Sequence, residues 1–255
     1  ELWKSDGTAS GTVMVKDIYS GSGTSYPEHL TAVGNTLYFI ASDGTNGREL
    51  WKSDGTASGT VMVKDIQNGT GSSTPQHLTA IGNTLYFAAS DGTNGRELWK
   101  SDGTASGTVM VKDIESGSGG GYPTNLFAIG NVLYFEATYA TSGQELWKSD
   151  GTASGTVMVK DIWGGGGSNR FYELTAVGNA LYFTASDGTN GRELWKSDGT
   201  ASGTVMVKDI NSGSGGSTPQ HLTAIGNVLY FAALDGSLGR ELYTNKGTHT
   251  EVIYS

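Results

Sequence analysis

Five polar residues recur at one phase of this chain: His29, His77, Asn125, Glu173 and His221. Imidazole and carboxylate are good transition-metal ligands, so five such side chains at one mouth of a channel would form a polar ring. Five-fold spacing holds side chains too far apart for a single ion, and a solvated rim is the expected state. A second cluster sits in the stretch WGGGGSNRFY, where Trp163, Asn169, Arg170, Phe171 and Tyr172 set three aromatics and one cation around four glycines. Aromatics with Asn and Arg suit sugar faces and hydroxyls, or a protein contact. An idiosyncratic packed loop is the competing reading. Tyr26 and Tyr122 extend this candidate ligand-binding set.

Catalysis has little to work with. The acids outside the repeated pattern are Glu28, Glu115, Glu136, Glu173 and Glu251, whereas a glycosidase needs two carboxylates of unequal environment at one centre. No Ser-His-Asp grouping and no phosphate loop is legible, so no catalytic residues are expected. Asp6-Gly7-Thr8 and Asp43-Gly44-Thr45 raise calcium as a cofactor, but each loop offers one Asp where calcium wants six to eight oxygens. Turn capping by the carboxylate explains them as well. No other cofactor is expected.

These residues ride on a repeat. The string ELWKSDGTASGTVMVKDI opens at Glu1, Glu49, Glu97, Glu145 and Glu193, a period of 48 residues, and a decayed copy opens at Glu241. Each period holds four strand candidates, in the first copy HLTAV (29–33), TLYFIAS (36–42), RELWKS (48–53) and, at the outer position, TVMVKDI (12–18 in the opening copy). Gly34-Asn35 is a two-residue hairpin signal. The other hairpins are longer glycine loops, and the long join, Tyr19 to Glu28 in the first copy, varies most. Four antiparallel strands per 40–50 residues is the signature of a propeller blade.

The chain therefore reads as a single all-β domain over 1–255, a propeller with full blades at about 29–66, 77–114, 125–162, 173–210 and 221–254. Five blades are favoured and six are the alternative. Residues 1–18 are a spare outer half-blade with three open fates: displacing the decayed tail, pairing with another chain, or standing as the stub of a sixth blade. Trp3, Trp51, Trp99, Trp147 and Trp195 read as blade-to-blade packing, with a ring of sugar-stacking aromatics as the sharper option. Lys16-Asp17 and Arg48-Glu49 read as charges with partners across strands or blades.

Glycine is high, 40 of 255 residues, and cysteine is absent, which excludes disulfides and thiolate metal sites. The net charge of −9 argues against a sequence-independent grip on nucleic acid or anionic membrane. No apolar run is long enough to span a bilayer as a helix, so no membrane insertion is expected.

The motif ELWKSDGT resembles the bacterial ELWxxDGT repeat family. It is intact at Glu1–Thr8, Glu49–Thr56, Glu97–Thr104, Glu145–Thr152 and Glu193–Thr200, and fails in the last copy at Tyr243 and Lys246. The resemblance implies a propeller-like fold and an extracellular or cell-surface bacterial setting, with no catalytic residues. The strand rhythm also looks like the propeller domain of prolyl oligopeptidases, where a separate hydrolase domain does the chemistry. The expected function is a non-catalytic binding or adhesion module, lectin-like in its sharpest form, with a carbohydrate or protein surface as partner. The alternative is a structural spacer that self-associates through residues 1–18.

Overall fold

The computed structural model describes residues 1–167, 169–247 and 250–254, the side chains of residues 253 and 254 excepted. Thr248, His249 and Ser255 of the decayed copy lie outside the described residues. Strands and turns make up all of the described regular structure.

Short apolar runs between glycine turns, buried on consecutive residues in the two central strands, fold here as antiparallel meanders, each hydrogen-bonded in chain order. The first sheet comprises Glu28–Val33, Thr36–Ser42, Arg48–Ser53 and Val61–Lys64. The second comprises Gln76–Ile81, Thr84–Ser90, Arg96–Ser101 and Val109–Lys112. Thr124–Ile129, Val132–Tyr139, Gly143–Ser149 and Val157–Lys160 form the third. The fourth holds Tyr172–Val177, Ala180–Ser186, Arg192–Ser197 and Val205–Lys208. In the fifth, Gln220–Ile225, Val228–Leu234 and Arg240–Asn245 are followed by Thr250–Tyr254.

Residues 1–18 make a sixth sheet of two strands, Leu2–Lys4 and Val13–Lys16. The fifth sheet keeps its own outer strand, paired from Leu242↔Tyr254 to Asn245↔Thr250, so residues 1–18 do not displace the tail. The count is six sheets, five complete and one present as its outer half. That is the alternative of a sixth-blade stub rather than a plain five. Two boundaries move from the sequence reading. The inner strands start one residue earlier, and the outer strand ends at Lys16 or its equivalents because the next amides leave the ladder, Ile66 N–H going to the Glu49 side chain at 3.0 Å.

The described chain forms two compact units, residues 1–131 with 151–153, and residues 132–150 with 154–255. Within the first unit, Phe39 and Trp51 pack on Leu2, Val15 and Ile18 of the half-sheet. One step along, Phe87 and Trp99 pack on Leu50, Val63 and Ile66 of the first sheet. In the second unit, Phe231 and Tyr243 pack on Tyr182 and Leu194 of the fourth. Within each unit, then, these sheets turn a Phe/Trp or Phe/Tyr face to the sheet before them, which meets it with Leu, Val, Ile or Tyr. Trp51, Trp99, Trp147 and Trp195 are 5–6% exposed, so packing is their role and they offer no sugar-stacking ring. Burying such a side chain is worth roughly 2–3 kcal/mol. Trp3 is 59% exposed.

Lysine rungs join neighbouring sheets. Lys4 Nζ donates to Gly55 O at 2.9 Å and Lys52 Nζ to Gly103 O at 2.8 Å. Lys16 Nζ reaches Thr60 O at 2.8 Å and Lys64 Nζ reaches Thr108 O at 2.9 Å, the latter 6.0 Å from the centre of the Trp99 ring. The expected cross-blade partner of Lys16 is therefore a carbonyl and not a carboxylate.

Candidate functional site in the fourth repeat

The glutamate that opens each repeat does not pair with its arginine neighbour. Glu49, Glu97, Glu145 and Glu193 are fully buried. Glu49 accepts Ile66 N–H at 3.0 Å and Ser73 N–H at 2.9 Å, the two ends of the crossing loop. Glu97 accepts Ile114 at 2.9 Å and Gly121 at 2.6 Å, and Glu193 accepts Ile210 at 3.2 Å and Ser217 at 2.6 Å. One carboxylate thus ties down each loop through its main chain. Burial pushes Glu97 up to about 7, against these amide bonds. Glu145, which accepts Ile162 N–H at 2.9 Å, is pushed by burial to about 8. Its Oε1 is buried without a hydrogen-bond partner, as is Nδ2 of Asn169, the residue standing where Ser25, Ser73 and Ser217 stand in other repeats.

From the loop the chain enters the inner strand through a bulge. Glu28 opposes Ile40 but Thr31 opposes Tyr38, one extra residue on the inner side. The same shift recurs between Gln76 and Thr79, Tyr172 and Thr175, and Gln220 and Thr223. His29, His77, Asn125, Glu173 and His221 occupy this bulge with φ of 51–61°, a left-handed conformation that re-aims a side chain. His29, His77, Asn125 and His221 are exposed, and Glu173 is half-buried. His29 and His77 line one open cavity of about 510 Å³ with Leu30 and Leu78. Burial lowers the His77 pKa, with the His29 and Arg96 charges adding to it. Among the described residues, no three His, Asp or Glu gather closely enough to hold a metal ion.

The arginine of RELWKS braces the same corner from below. Arg48 Nη2 binds Glu28 Oε2 at 2.6 Å, so of the partners expected across strands or blades the one found lies on another strand of its own sheet. Arg96 Nη2 donates to Thr74 Oγ1 at 2.5 Å, and Arg240 Nη2 to Thr218 Oγ1 at 3.0 Å. The fourth repeat breaks this pattern. Arg170 replaces the threonine, and Arg192 keeps only its Nη1 bonds, to Arg170 O at 2.7 Å and Thr184 O at 3.3 Å. Its guanidinium stacks 4.6 Å from the Tyr172 ring centre. Burial lowers the Arg192 pKa while Tyr172 and Glu136 raise it, and guanidinium stays charged throughout the physiological range.

Around this corner opens a cavity of about 290 Å³ lined by Tyr172, Glu173, Thr184, Arg192, Thr218, Pro219 and Gln220. It brings together one carboxylate, one guanidinium, two hydroxyls, an amide and a half-exposed aromatic. Of the sequence-derived candidates, Tyr172 and Glu173 are in it and Arg170 stands beside it, exposed. Asn169 and Phe171 are buried: Asn169 Oδ1 accepts Ser186 N–H at 2.9 Å, and Phe171 packs edge-on to Phe183 at 5.3 Å. Trp163 covers Gly167 and Gly188, where any Cβ would meet its ring, and is 42% exposed. Tyr26 and Tyr122 belong to the first unit, exposed and with φ of 49° and 44°. Of the third repeat's odd residues, Gln144 donates to Glu136 at 2.7 Å and Tyr139 meets Trp147 edge-on at 6.3 Å, while the other Glu136 oxygen accepts Phe171 N–H at 3.1 Å from the fourth repeat's loop. Sequence reasoning missed Thr184 and Arg192. The signal for Thr184 is its column, which reads Ile40, Ala88, Glu136, Thr184 and Ala232.

The aspartate loops are capped internally. Asp6 Oδ1 accepts Thr8 N–H at 2.9 Å and Thr8 Oγ1–H at 2.7 Å, and Asp43 accepts Thr45 and Asn46 amides at 2.8 and 2.9 Å. The Thr8 hydroxyl and amide hold the Asp6 carboxyl below its ordinary pKa.

The meanders define a β-propeller, and solved structures of that fold resemble the chain. A puromycin hydrolase S511A mutant complexed with PGG matches with a TM-score of 0.54 at 13% identity, over 97% of this chain and 40% of that one. A prolyl endopeptidase matches with a TM-score of 0.53 at 12% identity, over 90% and 34%. Prolyl oligopeptidase B from Galerina marginata, bound to a 35mer substrate, matches with 0.54 at 12%, over 90% and 37%. The chain spans two fifths or less of each, and the likeness is one of fold. No family model matches the chain, and no curated protein does.

Proposed function

We propose that the chain is a non-catalytic binding module of a bacterial surface or secreted protein, with carbohydrate as its ligand class. The repeated residues serve as scaffold and the diverged fourth repeat carries the site. One observation supports this reading: the cavity of about 290 Å³ where Tyr172, Glu173, Arg192, Thr218 and Gln220 converge. A small concave site with an aromatic wall and a few converging polar groups suits a sugar-sized ligand. Every group on its wall is one that sugar hydroxyls and C–H faces satisfy. The test is a glycan-array screen of the folded chain, with and without calcium. Saturable binding to one sugar class, lost in Tyr172→Ala, is the expected result. A blank array ends the carbohydrate reading.

A second reading, a self-associating spacer, is favoured by one feature. Trp3 is 59% exposed while its four equivalents are 5–6% exposed, and Val13 and Met14 beside it are exposed too. That face continues the Phe/Trp-to-Leu/Val interface repeated between sheets. Sedimentation across a hundredfold concentration range tests it: a monomer throughout, indistinguishable from Trp3→Lys, removes the spacer.

A further inference from the structure

Among the substitutions that set the fourth-repeat cavity apart from its siblings, two act on the same space. In the first, second and fifth sheets, the arginine Nη2 is consumed by the crossing loop, through Glu28, Thr74 or Thr218. In the fourth, Arg170 replaces the threonine, and the Arg192 contacts that remain are made by Nη1. A donor of a buried-side guanidinium is thereby released at the cavity. The second substitution is Thr184, where the first, second and fifth sheets carry Ile40, Ala88 and Ala232. The Thr184 side chain is fully buried, lines the cavity, and its Oγ1 has no hydrogen-bond partner. A hydroxyl left so is destabilising, and a ligand group that reached it would remove that cost.

The sign of the ligand's charge follows from the remaining wall. Glu173 faces the cavity, with Oε2 accepting Leu222 N–H at 3.2 Å. The Glu136 carboxylate already acts on Arg192. An anionic ligand would meet Glu173 at close range, and a cationic one would meet Arg192. A neutral polyol meets neither penalty, because each hydroxyl both donates and accepts: toward Glu173 as donor, toward Arg192 Nη2 as acceptor, and toward Thr184 as either. The face of Tyr172 not covered by Arg192 is left for the C–H surface of a ring.

We infer that this cavity is a subsite for a neutral hexopyranose, held between Glu173 and Arg192 Nη2 with Thr184 Oγ1 as its buried contact. The inference rests on the carbohydrate reading above and narrows it to one place and one charge class. Titration calorimetry of the full chain against the methyl glycosides of glucose, galactose and mannose, and against methyl glucuronide, tests it. Arg170→Thr and Thr184→Ala restore residues that sibling repeats carry, so both should fold. Each should weaken a neutral glycoside about tenfold, the worth of one hydrogen bond, while Val61→Ala, an exposed outer-strand position of the first unit, leaves it unchanged. Neutral binding insensitive to both substitutions, or a preference for glucuronide, overturns this inference and leaves the carbohydrate reading standing. No binding of any glycoside overturns both.

Discussion

Burial opposes the charged form of the glutamates that open the four inner repeats, Glu49, Glu97, Glu145 and Glu193, and this gives stability a pH slope. Glu97 titrates at about 7 and Glu145 at about 8 when folded, against the ordinary value of 4.5. Burial raises Glu49 and Glu193 too. A carboxyl with a raised folded pKa binds more protons folded than unfolded, so its contribution is full below about 4.5 and is lost as pH climbs through 7 to 8. Melting temperature is expected to fall between pH 5 and pH 8.5, and Glu97→Gln should shallow that slope. A flat profile would mean that the loop amides hold the ionised form as firmly as the protonated one. Glu145 also has a local defect, an unpartnered Oε1 beside a repeat in which Asn169 has replaced serine. Asn169→Ser should return the hydroxyl and stabilise by about 1 kcal/mol, raising Tm by about 2 °C. A lower Tm would show that the Asn169 bond to Ser186 outweighs the repair.

The strands were readable and the corner that holds the site was not, for physical reasons. TLYFIAS and RELWKS fold where the sequence put them, because both have successive buried residues, covered on both faces, between turn signals that fix their ends. Gly34-Asn35 closes its hairpin with positive φ at glycine alone, as a two-residue turn of this kind requires. The bulge at Glu173 is invisible in sequence, since His, Asn and Glu there give no sign of a left-handed residue. Arg192 is hidden by its sameness: it is identical in four repeats, and its free donor arises from Arg170, twenty-two residues away. The glycines allow a test at this scale. Gly82, φ 57°, has open space where a methyl would go, whereas a methyl on Gly95, φ 69°, would strike the carbonyl of Gly119. Gly82→Ala should cost roughly 1–2 kcal/mol and Gly95→Ala about 3 kcal/mol or more by urea unfolding. Equal costs would show that strain, and not the collision, governs both.

Across the whole molecule, stability is a sum of sheets and of the faces between them. The tryptophans measure those faces. Trp99→Ala should cost about 3–5 kcal/mol, because Leu50, Val63 and Ile66 lose the ring they pack on. Trp3→Ala should cost little in a monomer, since that ring is more than half exposed. A large loss from Trp3→Ala that grows with protein concentration would be the mark of assembly through residues 1–18. The negative charge of −9 is spread over the repeats, and added salt should ease whatever association occurs.

The buried glutamate has one more consequence. Its bonds in the second repeat go to the amides of Ile114 and Gly121, 17 and 24 positions further on, and not to any side chain of the loop between them. What the scaffold checks in that repeat is spacing; in the first-to-second and fourth-to-fifth crossings a serine hydroxyl, of Ser73 or Ser217, adds one more anchor, and most of the letters in between are free. Ten variable residues that follow an identical string in every full copy and lead into a similar inner strand behave as an exchangeable cassette. Recombination between copies would deliver a new loop already anchored, so the chain can alter its most variable surface without renegotiating how it folds.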